Sequence, residues 1–206
     1  MKRAVLVSLL WVLAFSFPWW GRTENFTACD NLYQTTTLYR ADSVPYNEDL
    51  IDSPIEYLPV EMYMSQALKQ GRMAFWNPLF FAGVPIFSDG WSGYFYPPRI
   101  LLMWLFPMEI AWHLSLFGHL CLSGLAAYGL ARQRGLNRDP ALLCATLWMF
   151  NGPCMTWFEL DFMAIFNLWL PFCLWSVRHA ISDRRWVGAA ALGIMGLLTC
   201  GHVQWA

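Results

Sequence analysis

Long apolar runs alternate with short polar segments along this chain of 206 residues. Five runs approach the ~20 residues that a helix needs to cross the hydrocarbon core of a bilayer. They span residues 4–20, 110–131, 141–157, 162–177 and 187–206. Because lipid offers no hydrogen-bond partner to backbone groups, each run is predicted to be helical. The pattern therefore predicts an all-α integral membrane protein with five transmembrane helices.

Composition supports this class. Hydrophobic residues make up 57% of the chain and charged residues only 13%, against roughly 25% charged in soluble domains. The net charge of −1 gives no indication of a nucleic-acid partner. Five of the six cysteines lie within apolar runs, without metal-ligand spacing, so we interpret them as small buried hydrophobes.

The distribution of basic residues predicts the orientation of the chain. Eight of them flank the spans on one side, which the positive-inside rule places in the cytoplasm. They are Lys2, Arg3, Arg132, Arg134, Arg138, Arg178, Arg184 and Arg185. Residues 21–109 then form a long first loop outside the cell, and so do residues 158–161, which carry Glu159 and Asp161. Long loops tolerate the few basic residues that this one holds.

The two ends of the chain leave alternatives open. The first run could be a signal peptide, since Lys2 and Arg3 precede it, but bulky residues 15–20 offer no small-x-small cleavage site, which favours a retained helix. The last run stops at Ala206 without a closing loop. We expect the sequence to be the N-terminal part of a longer protein, with a naturally short protein as the alternative.

The long outer loop is rich in aromatic residues. Residues 75–96 mix aromatics with Gly and Pro, which indicates turns. Residues 60–70 are predicted to form an amphipathic helix on the membrane surface, ended by Gly71. Residues 100–106 are too short to span and are predicted to be a surface or re-entrant segment. The aromatics can form an interfacial belt, a platform for a sugar or lipid-linked substrate, or both.

Among the acidic residues of this loop, Asp52 and Glu56 stand out because apolar residues surround them, between Ile51 and Pro59. A carboxylate held near the membrane boundary is partly desolvated, which raises its basicity. Such a group suits a general base or a metal ligand. Asp49, in a polar stretch, is interpreted as a solvated surface acid.

Several short motifs together resemble the YfhO-like bacterial membrane proteins. In chain order they are Asp52-x6-Pro59, Gln66 to Gly71, Trp76-Asn77-Pro78, Gly83-Val-Pro85, Tyr96-Pro-Pro98, Leu122 to Tyr128 followed by Gly135-Leu136, Phe150-Asn-Gly152, and Gly201-His-Val-Gln204. That family often has Pro where this chain has Val203. The resemblance covers nearly the whole chain.

This resemblance implies a GT-C-like fold and a membrane glycosyltransferase in the bacterial plasma membrane. Its donor would be a sugar on a polyprenyl phosphate, and its acceptor a glycan or lipid of the cell envelope. Asp52 falls where that family has its catalytic loop acid, acting alone or through a divalent metal such as Mg or Mn, and Glu56 would assist. The expected substrate-binding residues are Arg99, Trp76, Asn77, Asp89, His202 and Gln204. Arg99 would contact the lipid phosphate, although it could instead be an interfacial arginine reaching for solvent.

Two other functional classes stay open. A transporter or flippase of lipid-linked saccharides should place its polar residues near the midplane of the membrane and show internal repeats. A membrane scaffold would need no site at all. No repeat is visible in this chain, and its polar residues concentrate in the outer loop, which favours an enzyme.

Overall fold

The computed structural model describes residues 1–17, 29–35, 39–42, 44–45, 47–80, 82–86 and 93–201. Within these ranges the chain is mainly helical. The α-helices are α1 Lys2–Ser16, α2 Leu32–Thr35, α3 Leu58–Lys69, α4 Pro97–Leu105, α5 Met108–Gln133, α6 Arg138–Met149, α7 Gly152–Thr156, α8 Asp161–Ser182 and α9 Val187–Thr199. Short 3-10 helices cover Cys29–Asn31, Glu48–Leu50 and Arg184–Trp186, and a π-helix covers Ser53–Tyr57. Two short strands, β1 Trp76–Asn77 and β2 Val84–Pro85, pair antiparallel.

Helix α5 is the centre of the bundle, and α1, α4, α6 and α8 all pack against it. Its buried residues at 112, 116 and 120 meet side chains of α1, α6, α7 and α8 in one apolar cluster. Nearer its C-terminus, small residues let two neighbours approach closely, since Ala131 packs with Ala4 of α1 and with Ala141 and Ala145 of α6. The core is therefore built around α5, the longest of the described helices.

Two of the predicted spans match single helices of the structure. The run at 110–131 becomes α5 and the run at 162–177 becomes α8, each a few residues longer than predicted. Among the described residues, α5 is the one helix whose length and apolar composition suffice to cross a membrane. The first and last runs are helical over α1 and α9, and their residues 18–20 and 202–206 lie outside the described residues.

The third predicted span, residues 141–157, is not one helix. Helix α6 ends at Met149, and α7 begins only at Gly152. Between them Asn151 adopts an extended conformation, and its side-chain oxygen accepts a hydrogen bond from the backbone N–H of Cys154 at 2.9 Å. An Asn cap followed by Gly152 and Pro153 favours a new helix start over continuation. Hydrophobicity alone does not contain that signal.

The amphipathic helix predicted in the outer loop is confirmed as α3. Gly71 follows its end with φ +72°, a conformation that favours glycine. Met64 and Ala67 of α3 pack on an apolar cluster that includes Ile86 and Tyr94, and the Tyr63 hydroxyl donates to the Trp76 carbonyl at 3.1 Å. The described part of the aromatic segment therefore packs beside α3. Its placement on a membrane surface stays a prediction.

The short segment before the second span also forms a helix, α4. It begins at Pro97, earlier than the predicted start at residue 100, because proline is well tolerated in a first helical turn. This early start makes Arg99 a helical residue whose side chain points into the protein. Among the cysteines, Cys154 and Cys200 are buried as expected, whereas Cys144 is exposed.

Candidate functional site

A charged cluster is buried where α3, α4 and α8 meet. Arg99 is only 2% exposed, and its carboxylate partners Glu61 and Asp161 are 2% and 3% exposed. The Arg99 guanidinium contacts Asp161 twice, through an Nη2–Oδ1 ion pair and through an Nε–H bond to Oδ2 at 3.1 Å. Its Nη1 lies 3.5 Å from Glu61 Oε1. A buried arginine held by a fork of this kind is fixed in position.

Asp161 is the first residue of α8. The N-terminus of a helix stabilises negative charge, because its first N–H groups lack partners within the helix. The hydroxyl of Ser115 on α5 also donates to Asp161 Oδ2, at 3.0 Å. The Asp161 carboxylate thus ties α4, α5 and α8 together at one point.

Glu61 is held much less firmly. Its Oε2 is buried without a hydrogen-bond partner. Burial raises the pKa of Glu61 to about 8, because loss of water outweighs the attraction of Arg99, and the nearby Asp161 adds to the rise. Burial also disfavours the charged form of Arg99, but the carboxylates of Asp161 and Glu61 more than offset it and raise the pKa of Arg99 above its usual value. The net charge of Glu61, Arg99 and Asp161 together is therefore zero when Glu61 is protonated and −1 when it is ionised.

A second chain of hydrogen bonds continues from Ser115. The His119 Nδ1 lies 2.6 Å from the Ser115 carbonyl oxygen, which can only accept, so Nδ1 carries the proton. His119 Nε2 then accepts from the Tyr96 hydroxyl at 2.7 Å, and that hydroxyl accepts from the Trp169 indole N–H at 2.9 Å. We call Glu61, Tyr96, Arg99, Ser115, His119, Asp161 and Trp169 the buried polar cluster.

A glycine makes room for this cluster. Gly93 has φ +55°, and a Cβ added there would lie 2.6 Å from Arg99 Nη1 and 2.9 Å from the carbonyl oxygen of Cys200. The backbone of residue 93 is therefore packed directly against the guanidinium. It also brings the outer loop against the end of α9.

A second pair of acids lies in the outer segments. Glu159, in the loop between α7 and α8, is partly buried, and its Oε2 lacks a hydrogen-bond partner. Burial raises the pKa of Glu159 to about 7, and the neighbouring carboxylate of Asp30 adds to the rise. The two segments are joined by an apolar contact in which Leu50 and Tyr57 meet Leu160. The loop 158–160 thus presents Glu159 to the outer segment, while Asp161 points into the buried polar cluster.

The predicted catalytic residues Asp52 and Glu56 are both exposed. They lie at the start of the π-helix and one turn later, on the side opposite the buried Ser53 and Tyr57. The apolar neighbours of Asp52 do not bury it, since Ile55 is itself exposed, and its desolvation at a membrane surface stays a prediction. Whether Asp52 acts in catalysis stays a prediction.

The predicted substrate-binding residues that the structure describes do not lie together in one site. Arg99 is buried in the cluster rather than reaching for solvent, so the interfacial interpretation is wrong. Trp76 is half exposed at 53%, whereas Asn77 is buried and its Oδ1 accepts from the Leu79 N–H at 2.9 Å, which stabilises the turn. Asp89, His202 and Gln204 lie outside the described residues.

No role in a site was predicted from the sequence for Glu61, Ser115, His119 or Trp169. For Glu61 a signal existed, because it shares the apolar face of α3 with Met64 and Ala67 at helical spacing. A carboxylate on such a face needs a buried partner. The contact between Arg99 and Asp161, 62 residues apart, has no local signal.

Comparison with known families identifies the class of this protein. Residues 79–199, more than half of the chain, match the family described as "Predicted membrane protein (DUF2079)". The chain therefore belongs to that family, and the expectation of a membrane protein is confirmed. The matched range holds Arg99, Ser115, His119, Asp161 and Trp169, while Glu61 precedes it. No curated protein and no solved structure matches the chain.

Proposed function

We propose that this chain is part of a multi-pass glycosyltransferase of the bacterial plasma membrane. It transfers a sugar from a polyprenyl-phosphate donor to a cell-envelope acceptor on the outer face. The observation that supports this proposal is the pairing of Glu159 with Asp30, at the point where the outer segment packs on the loop between α7 and α8. A partly exposed carboxyl that titrates near neutral pH has the property required of a general base.

In this mechanism a carboxylate removes the proton from an acceptor hydroxyl. The hydroxyl oxygen then attacks the anomeric carbon of the donor sugar. The bond from that carbon to the phosphate oxygen breaks, and the phosphate leaves with the bonding electrons. Glu159 is our first candidate for the base, and the exposed Asp52, with Glu56 one turn away, is the second.

A divalent metal stays a prediction. The described part of the chain contains no group of three His, Cys, Asp or Glu side chains that could hold an ion, whereas Mg²⁺ is usually held by only one or two carboxylates together with substrate phosphates. We therefore derive no step through a metal. Nor does Arg99 face a donor phosphate as it lies, because two carboxylates neutralise it and it is buried. Its role is to position α4 and α8.

The decisive experiment compares single substitutions in the full-length protein, with transfer from a polyprenyl-phosphate sugar measured after reconstitution. Glu159→Gln or Asp52→Asn should lower the rate by roughly 10²- to 10⁴-fold, depending on which residue is the base. Asp49→Asn is the matched control, because Asp49 is an exposed acid of the same segment and should cost little. If Glu159→Gln and Asp52→Asn both transfer sugar at the wild-type rate, both assignments of the base are wrong.

A transporter or flippase is the second candidate, and the buried polar cluster is the observation that favours it. Ionisable residues buried at the ends of membrane helices often belong to ion or substrate pathways, and here Glu61 can gain or lose a proton beside a fixed Arg99–Asp161 pair. Proteoliposomes distinguish the two functions. An enzyme forms glycosylated product without moving the lipid-linked saccharide across the bilayer, whereas a flippase moves the saccharide and leaves it unmodified.

A further inference from the structure

A small cavity lies between α3 and the first turns of α5, beside Cys29. Its volume is about 130 Å³, close to the ~150 Å³ of an apolar cavity that holds one benzene molecule. Leu58, Met62 and Met108 form its apolar walls, and Glu109, Trp112 and His113 supply polar groups. The cavity is large enough for one small ring and too small for an oligosaccharide.

Trp112 gives this cavity an unsatisfied donor. The residue is only 4% exposed, yet its indole Nε1 has no hydrogen-bond partner. An indole N–H can donate and cannot accept, so it requires an oxygen or nitrogen lone pair. Leaving such a group buried and unpaired is unfavourable, and an acceptor atom of a ligand would remove that cost.

The other polar groups restrict the charge of the ligand. Glu109 is an exposed carboxylate in the first turn of α5 that lines the cavity and can only accept hydrogen bonds when ionised. Its own backbone carbonyl is within 2.6 Å of the His113 Nδ1, which fixes the imidazole beside it. Glu109 is the one carboxylate among the described lining residues, so the cavity itself disfavours an anionic ligand.

We propose that this cavity binds one neutral hydroxylated ring, namely the sugar or polyol unit that accepts the transferred sugar. The ring's hydroxyl groups accept from Trp112 and donate to Glu109, while its C–H faces lie against the two methionines. This inference rests on the proposed function and adds to it a position for the acceptor. Because Cys29 lines the cavity, the acceptor would lie next in sequence to Asp30, the carboxylate that helps to raise the pKa of Glu159.

Binding and transfer are measured separately to test it. The probes are methyl glycosides of glucose, galactose, mannose and N-acetylglucosamine, added to the full-length protein in nanodiscs and followed by saturation-transfer NMR. Trp112→Phe keeps the ring and removes the N–H. It should weaken binding of the preferred glycoside roughly 3- to 10-fold, which corresponds to one lost hydrogen bond. Trp104→Phe is the matched control, because Trp104 on α4 is 58% exposed and should leave binding unchanged.

Glu109→Gln tests the charge of the ligand. The amide keeps an acceptor oxygen and loses the negative charge, so it should hold a neutral glycoside within about 2-fold. A large loss with a preference for amino sugars would show a cation site and overturn the proposal. So would failure of all four glycosides to bind up to their solubility limits, or equal binding by wild type and a folded Trp112→Phe.

The two proposals fail in different ways. If a glycoside binds through Trp112 but no sugar is ever transferred, the cavity is a binding site and the proposed glycosyltransferase activity is wrong. If transfer proceeds with an unchanged KM for the acceptor in Trp112→Phe, the protein is a glycosyltransferase and the cavity is not its acceptor site.

Discussion

Asp161→Asn should destabilise the protein more than the loss of any exposed acid. The substitution keeps the shape of the side chain and one acceptor oxygen but removes the charge opposite Arg99. Arg99 is buried and receives two of its contacts from Asp161. Removing one partner of a buried ion pair typically costs about 3–5 kcal/mol, because the other charge is left uncompensated.

For Asp161→Asn the structure indicates a loss of stability at the lower end of this range. Glu61 lies 3.5 Å from the same guanidinium, and Asp161 is one of the causes that raise its pKa. Once Asp161 is neutral, Glu61 ionises more easily and compensates Arg99 in part. We therefore expect Asp161→Asn to cost about 3 kcal/mol, and the double variant Asp161→Asn with Glu61→Gln to cost more than the sum of the two single variants.

The assay is reversible unfolding in detergent micelles at constant pH. Asp139→Asn is the matched control, because Asp139 is also an acid in the first turn of a helix, α6, but is exposed. Its loss should cost no more than about 1 kcal/mol from the helix dipole. If Asp161→Asn costs as little as Asp139→Asn, the buried ion pair does not stabilise the fold and the reasoning is refuted.

Two further predictions concern the neighbours of Arg99. The fold raises the pKa of Glu61 from 4.5 to about 8, so the contribution of Glu61 to stability is complete below pH 4.5 and is lost as the pH rises to about 8. The unfolding midpoint of the wild type should therefore fall over this pH range, and Glu61→Gln should remove this part of the fall. A midpoint that falls with the same slope in Glu61→Gln as in wild type would contradict the assignment. Gly93→Ala should cost at least ~2 kcal/mol, because the left-handed backbone and the contact with Arg99 both oppose a Cβ. Gly118→Ala in α5, where a Cβ meets nothing within 4 Å, should be neutral or stabilise by up to ~1 kcal/mol; similar losses for both glycine variants would show that the space at residue 93 does not matter.

The helices were predictable from the sequence where one physical signal dominates. Hydrophobic length located α5 and α8, and an amphipathic pattern followed by Gly71 located α3. The third span failed because hydrophobicity averages over a window, whereas the break at Asn151 depends on a single side-chain hydrogen bond. Local chemistry of that kind has to be weighed residue by residue.

The candidate site was less predictable, because its contacts join distant parts of the chain. Arg99 was identified from its position before the second span, but its carboxylate partners come from α3 and α8. Asp161 was noticed as an outer acid without any indication that it points inward. The context that favoured Asp52, a row of apolar neighbours, was misleading because in the structure the chain turns Asp52 outward.

The order of synthesis gives the Arg99–Asp161 pair a consequence for folding. Arg99 leaves the ribosome 62 residues before Asp161, so α4 is made while its strongest partner does not yet exist. The guanidinium lacks this carboxylate until the first turn of α8 has been made. The contact that joins α4 to α8 therefore forms late, after the whole of α5, α6 and α7 has been synthesised.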